Sequence, residues 1–449
     1  MIRLRKALKD TLSLPKSDFP LRANAVVREP VLQLRCCEAV LRHQRERQSP
    51  VWLVHDGPPY ANGRLHMGHF LNKVIKDAIN RFKMLQGFRV PFVPGWDCHG
   101  LPIELVALEQ LKNKGETPSA ALIRRLARSW AEKHVESQMR DFKRWGIYGD
   151  WEQAYCTMDK EYEALQLELF GKLYDKGMVF RALKPVYWSP SSKTALAESE
   201  LEYKDNHESK SIHVIFPLTF ESQKNLCASV KGKLGALIWT TTPWTLPSNM
   251  AICYGLKLNY CIVHVPRSPW SVDHLIMAEE RLSDLQDVEY SVLSRVDSSK
   301  LSGLEAQHPF EPRNAVFLES EFVTADLGTG LVHASPAHGQ EDFMVCKRHF
   351  GDILSLVDHA GYFNEKSSER FRGKHIFTDG TSEVIEACKE NKVLLNLQTY
   401  RHRYPYDWRT KLPVIQRATE QWFVDLRECK DEAIAALNDV EIYPASGKL

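Results

Sequence analysis

The spacing of apolar positions changes along the chain. Phe70, Leu71, Val74, Ile75, Ala78, Ile79 and Phe82 recur at helical spacing, and Gly87 ends that run. Similar spacing predicts helices over Val31–Arg47, Ala121–Trp145 and Glu161–Lys176, the last closed by Gly177. Two short apolar runs, Val51–His55 and Arg89–Val93, predict strands between helices. Such alternation implies a parallel sheet with helices packed on it. Past Tyr187 the pattern shortens. Runs over Ile212–Phe216, Leu234–Thr242, Tyr260–Val265, Val288–Leu293, Ala315–Leu318 and Leu331–His333 are β-branched or aromatic and separated by turn residues.

These patterns define an α/β chain whose parallel sheet is interrupted by a β-rich insertion. The expected organisation is a leader over 1–50, a first α/β part over 51–205, a β-rich domain over 206–395 and a returning segment over 396–449. The proline- and aromatic-rich string Tyr404-Pro405-Tyr406-Asp407-Trp408-Arg409 marks that return. Trp96, Trp130, Trp145 and Trp151 read as core residues.

Composition narrows the function classes. At 449 residues the chain is too long for one ordinary core. Its net charge of +2 means that a nucleic-acid partner would be met by local basic surface. No apolar run is long enough to span a membrane. The ten cysteines include one adjacent pair, Cys36-Cys37, and no C-x-x-C spacing, so neither a structural metal nor a disulfide framework is expected.

The densest chemistry surrounds Asp56-Gly57-Pro58-Pro59-Tyr60-Ala61-Asn62-Gly63 and the following His66-Met67-Gly68-His69. A turn-rich loop opens a helix, and the two histidines lie three apart at its start. Free N–H groups and the helix dipole suit phosphate there. Imidazole donors suit the polyphosphate of a nucleotide. Gly57, Gly63 and Gly68 would let the backbone approach a nucleotide closely. The same histidines also fit simple capping of a surface helix.

A second block, Gly95-Trp96-Asp97-Cys98-His99-Gly100-Leu101-Pro102-Ile103-Glu104, follows. Together the two blocks resemble the class I aminoacyl-tRNA synthetases, and among them the isoleucyl-tRNA synthetases. The resemblance runs from about Thr11 to Leu449 and implies a Rossmann-like catalytic domain with an editing insertion. It implies ATP and isoleucine as substrates, Mg2+ accompanying ATP, tRNA(Ile) as partner, no membrane and a monomer. His66 and His69 would be catalytic, and ATP would meet Gly57, Asn62, Gly63, His66, Gly68 and His69. The amino-acid ammonium needs a buried carboxylate, for which Asp97 is the candidate. The residues matching Pro58 and Trp422 would pack on the aliphatic side chain.

In the β-rich part, Trp239-Thr240-Thr241-Thr242-Pro243-Trp244-Thr245-Leu246-Pro247-Ser248-Asn249 precedes Gly328-Thr329-Gly330-Leu331-Val332-His333 and Gly339-Gln340-Glu341-Asp342. Threonine hydroxyls donate and accept, and can hold a ribose, an ester carbonyl or a water. No activated nucleophile is evident. An ordinary strand end with turns also accounts for these residues. The resemblance implies that Asp342 holds a substrate ammonium, while Thr240, Thr241, Thr242, Asn249 and His333 shape a pocket that hydrolyses valyl-tRNA(Ile). A second pocket is needed because one methylene discriminates by only about 1–3 kcal/mol; isoleucine against valine is the standard illustration of that limit.

The family's K-M-S-K-S lysine loop and anticodon-binding helices have no match in these residues. The expectation is therefore a C-terminally truncated ligase whose own activation activity is open. A stand-alone editing deacylase and a non-catalytic tRNA-binding fragment are the alternatives. The leader Thr11–Pro20, Leu53-Val54-His55-Asp56-Gly57 and Arg403–Arg409 look most like the mitochondrial branch, which implies the matrix; a bacterial cytoplasm is the alternative. The basic stretch Met1–Lys9 reads as a solvated helix start or a targeting remnant.

Overall fold

The computed structural model describes residues 11–13, 18, 22–114, 119–227, 230–285, 287–442 and 445–447. The Met1–Lys9 stretch and most of the Thr11–Pro20 leader lie outside the described residues. The chain divides into two compact units, Met1–Gly177 and Met178–Leu449.

Among the described residues the first unit has five α-helices: α1 (Ala25–Glu46), α2 (Met67–Leu85), α3 (Leu101–Lys114), α4 (Ala120–Arg144) and α5 (Lys160–Asp175). Helix α1 begins ahead of the expected Val31 and carries Pro30 inside it. Helix α3 follows Gly100, whose φ is +115°, and takes Pro102 in its first turn, where a missing N–H costs little. Trp96, Phe142, Ile147 and Ala131 form the core, with Trp130, Trp145 and Trp151 packed around them.

The expected strands Val51–His55 and Arg89–Val93 are not formed. Among the described residues of the first unit, parallel pairing survives only as isolated bridges, Val51 with Arg89 and Tyr60 with Asp97, and as the short pair β1 (Gly95–Trp96) and β2 (Tyr155–Cys156). Prolines explain the interruption. Pro58, Pro59, Pro91 and Pro94 have no N–H to give a ladder. What remains is Trp52 N–H to Arg89 O at 2.8 Å and Arg89 N–H to Pro50 O at 3.0 Å at one bridge, and Ala61 N–H to Asp97 O at 2.8 Å and Asp97 N–H to Pro59 O at 2.9 Å at the other.

The second unit is β-rich. Its strands are β3 (Val179–Ser189), β4 (Thr194–Ala195), β5 (Leu201–Pro217), β6 (Leu234–Thr240), β7 (Ala251–Tyr254), β8 (Tyr260–His264), β9 (His274–Ala278), β10 (Ser291–Val296), β11 (Glu305–Gln307), β12 (Asn314–Glu319), β13 (Leu331–Ala334), β14 (Leu394–Asp407) and β15 (Ile415–Val424). They form a six-stranded sheet in the order β10-β8-β9-β6-β5-β14, a four-stranded sheet β11-β12-β7-β13 and a three-stranded sheet β15-β3-β4. Helices α6 (Phe220–Cys227), α7 (Gln340–His349), α8 (Thr381–Glu390) and α9 (Arg427–Ala436) complete it. The core joins Ile212, Phe216, Leu237, Ile262, Ile276 and Phe317.

Two expectations shift here. The run Val288–Leu293 is displaced to Ser291–Val296, because Val288 N–H is spent on a turn to Leu285 O at 2.9 Å. The returning segment is no bare crossing. Strand β14 pairs antiparallel with β5 from Leu394↔Val214 to Asp407↔Leu201, and β15 pairs with β3. The chain is thus α/β, with parallel pairing of β1 with β2 in the first unit and of β12 with β7 and β6 with β9 in the second.

Candidate functional site

The loop before α2 is held from below. Gln138 of α4, 1 % exposed, donates from Nε2 to Tyr60 O and Gly63 O, each at 3.1 Å. Its Oε1 accepts from Trp96 Nε1 at 3.0 Å. Trp130 Nε1 donates to Asn62 Oδ1 at 3.0 Å, so that side-chain oxygen already has a donor. Of the three glycines singled out, only Gly63 has a positive φ, +84°.

Both histidines cap the helix. His66 Nδ1 accepts from Gly68 N–H at 3.1 Å, and His69 Nδ1 accepts from His66 N–H at 3.3 Å. Their ring centroids are 4.0 Å apart. Capping and phosphate binding are compatible. With each Nδ1 accepting, a neutral ring carries its proton on Nε2, which remains a donor. His66 is exposed and His69 half-buried. Burial lowers the His69 pKa, reinforced by His66 and Lys73.

Sequence reasoning missed the ion cluster beneath. Asp56 pairs with Lys73 and Lys76, four and seven residues beyond His69. The Lys73 side chain is nearly buried, which lowers its pKa against the opposing pull of Asp56. The i, i+4, i+7 spacing was the available signal.

Asp97 departs from expectation. It is exposed, not buried, although the bridge to Tyr60 sets it beside the loop: Asp97 N–H donates to Pro59 O at 2.9 Å. Pro58 is half-buried in that loop. Trp422 belongs to the second unit, on β15 opposite Arg181, and is 52 % exposed.

The second unit holds a cavity of about 330 Å³ lined by Thr240, Thr241, Thr242, Thr245, His333 and Asp342. Thr240 ends β6, and Thr242 N–H donates to Thr240 Oγ1 at 3.1 Å, which turns the chain into the cavity wall. His333 on β13 is 6 % exposed. Asn249 is not part of the wall. It is 1 % exposed and donates to His333 Nδ1 at 3.0 Å and to Ala251 O at 2.9 Å. Thr245, in the short 3-10 helix Pro243–Ser248, and His338 also line the cavity and were not singled out; neither belongs to a periodic pattern.

The electrostatics follow from burial. His333 is pushed down to about 3 by desolvation and is therefore neutral at physiological pH. Asp342 is pushed up to about 7 by desolvation, although Ser335 N–H donates to its Oδ2 at 2.9 Å. A half-neutral carboxyl at a cavity wall takes up its charge fully when a cation arrives. No cluster of metal-ligating side chains occurs among the described residues, and no described helix is long and apolar enough to cross a membrane.

A histidine-capped loop-to-helix corner and a threonine-lined cavity in a β-rich unit are thus the two candidate sites. The model of the tRNA synthetases class I (I, L, M and V) matches residues 37–449, and the chain belongs to that family. It is 46 % identical over 454 residues to an isoleucine–tRNA ligase of Crocosphaera subtropica, covering 99 % of this chain and 47 % of that protein. It is 44 % identical over 452 residues to an isoleucine–tRNA ligase of Synechocystis, covering 99 % and 46 %. The chain spans about half the length of the curated relatives it matches. Among solved structures, a LeuRS–tRNA–LeuAMS complex from Agrobacterium radiobacter aligns at 17 % identity and a TM-score of 0.36, over 88 % of this chain and 48 % of that one.

Proposed function

We propose that this protein serves isoleucine–tRNA ligation: activation of isoleucine by ATP, transfer to tRNA(Ile), and hydrolysis of valyl-tRNA(Ile). The observation that carries the reading is the second-unit cavity, where Asp342, a locked neutral histidine and consecutive threonines converge. In activation, a carboxylate oxygen of isoleucine attacks the α-phosphorus of ATP and pyrophosphate leaves. His66 and His69 would donate from Nε2 to the charge that develops on phosphate. Mg2+ would enter with the phosphates of ATP. Pro58, Asp97 and Trp422 remain the proposed contacts for the amino acid, and Gly57, Asn62, Gly63 and Gly68 those for ATP.

In the cavity, ionised Asp342 would bind the ammonium of the misplaced valyl group. Threonine hydroxyls would position water at the ester carbonyl. The proposed compartment is the mitochondrial matrix, supported by the basic residues of Met1–Lys9, and the proposed state is a monomer.

The test is twofold: isoleucine-dependent pyrophosphate exchange, and release of valine from valyl-tRNA(Ile). Both activities are expected from the chain joined to the remainder present in its relatives. Because the cavity lies wholly within the second unit, valine release by this chain without exchange would favour a stand-alone deacylase. Loss of both activities with tRNA binding retained would overturn the catalytic reading and leave a tRNA-binding role.

A further inference from the structure

Two cysteines of the first unit lie side by side next to Asp97. Strands β1 and β2 pair Trp96 with Cys156. Two residues on, Cys98 N–H donates to Thr157 Oγ1 at 2.9 Å, which ties it to the residue after Cys156. The Cys98 thiol turns back toward Trp96 O at 3.6 Å, the same carbonyl that accepts Thr157 N–H at 3.0 Å. Both side chains belong to the same apolar cluster, Cys98 within it and Cys156 packed against it.

Cys98 is 5 % exposed but is not sealed. It lines an open cavity of about 490 Å³ together with His99, Arg124 and Arg128. Arg128 reaches over the neighbouring backbone and donates to Met158 O at 2.8 Å. A small neutral oxidant can reach the sulfur by that route; Glu104 and Glu163 line the same cavity, so its arginines are balanced by carboxylates.

We propose that Cys98 and Cys156 form a peroxide-sensitive thiol pair, with Cys98 the attacking sulfur and Cys156 the resolving one. The Cys98 thiolate attacks one oxygen of hydrogen peroxide; the O–O bond breaks, sulfenic acid forms and one water leaves. The Cys156 sulfur then displaces the hydroxyl as a second water and closes the disulfide. Two thiols lose two electrons and two protons, and one peroxide becomes two waters. The hydrogen bond from Cys156 holds the Cys98 thiol below its ordinary pKa, and the same bond with burial raises Cys156, which fits this division of roles. The bridge would fasten the Asp97–His99 corner to β2.

The experiment needs no ligase activity. The purified chain is treated with stoichiometric hydrogen peroxide, free thiols are alkylated, and tryptic peptides are analysed by mass spectrometry. A Cys98–Cys156 cross-linked peptide, two hydrogens lighter than the sum and released by dithiothreitol, is the expected result. In Cys156→Ser, a dimedone adduct should appear on Cys98. Oxidation confined to exposed Cys36 and its neighbours, with Cys98 and Cys156 alkylated as before treatment, would overturn the proposal. So would Cys98 passing to sulfinic acid in the wild-type chain without a cross-link.

Discussion

Asn249 donates its side-chain amide to Nδ1 of His333 at 3.0 Å. The same nitrogen donates to Ala251 O at 2.9 Å, which fixes the orientation of the amide. His333 must then carry its proton on Nε2 and give it to Thr245 Oγ1 at 2.8 Å. Thr245 in turn donates to Thr242 O at 2.8 Å, so the chain of bonds ends on the backbone of the threonine run. A histidine held in this way positions the wall and is no general base.

Thr245→Val keeps the shape of the side chain but removes the acceptor for a buried N–H. The expected loss is about 1–3 kcal/mol of stability, read by chemical denaturation, with impaired valine release and unchanged pyrophosphate exchange. A variant as stable as wild type would mean that the His333 proton points elsewhere.

Asp342 carries its own pH signature. The unfolded carboxyl titrates near 3.8 and the folded one near about 7. Between these values the folded chain holds a proton that the unfolded chain has released. Stability therefore falls as pH rises through that window and stays lower above it. Asp342→Asn should exceed wild type by about 1–3 kcal/mol near pH 8 and match it below pH ~4. Asp342→Ala should leave pyrophosphate exchange intact while valyl-tRNA accumulates; mischarging at the wild-type level would remove Asp342 from the editing role.

Acid should act on the same unit through its histidines. His333 and His308 are pushed down to about 3, and His338 to about 4, chiefly by burial. Below the ordinary value of 6.5 the unfolded chain takes up protons that the folded chain refuses. Each histidine costs up to about 2 kcal/mol of stability by pH ~5. Ring resonances followed by NMR should stay neutral for all three down to pH ~5, while the thermal midpoint falls. Titration of any of them near 6.5 in the folded chain would contradict the burial.

In the first unit, Gln138→Leu should be among the costliest single changes. It strips partners from Trp96 Nε1 and from two loop carbonyls at once. Roughly 3 kcal/mol or more is expected, with loosening of residues 60–63 seen in amide hydrogen exchange. Unchanged exchange protection there would show that the loop is held by other means.

Gly68 offers a finer probe of the histidine pair. A Cβ at Gly68 would meet His66 Cε1 at 2.9 Å and Nδ1 at 3.0 Å. Gly68→Ala should therefore displace the imidazole from the helix start and remove about 1 kcal/mol of capping. Helix stability measured by hydrogen exchange checks this, and an unshifted α2 would show that the ring has room to move.

Periodicity was enough for α2, α4 and α5, and motif spacing was enough for the histidine corner and the threonine run. Local pattern failed where backbone pairing is set at a distance. Val51–His55 is apolar enough for a strand, yet prolines at 58, 59, 91 and 94 leave it one bridge long. The Leu201–Lys210 part of β5 and its partner β14 are largely polar and carry no expected strand run, but they pair antiparallel with each other.

By itself the sequence determined which residues are candidates for chemistry, because the functional groups of glycine, histidine, threonine and aspartate recur there in motif spacing. Only the tertiary structure decided their states. Burial, which no local pattern encodes, made His333 neutral, raised Asp342 and took Asn249 out of the cavity wall to hold His333. It also left Asp97 exposed, where a buried carboxylate was expected. Desolvation depends on every element packed around a group, and those elements come together only when distant strands pair.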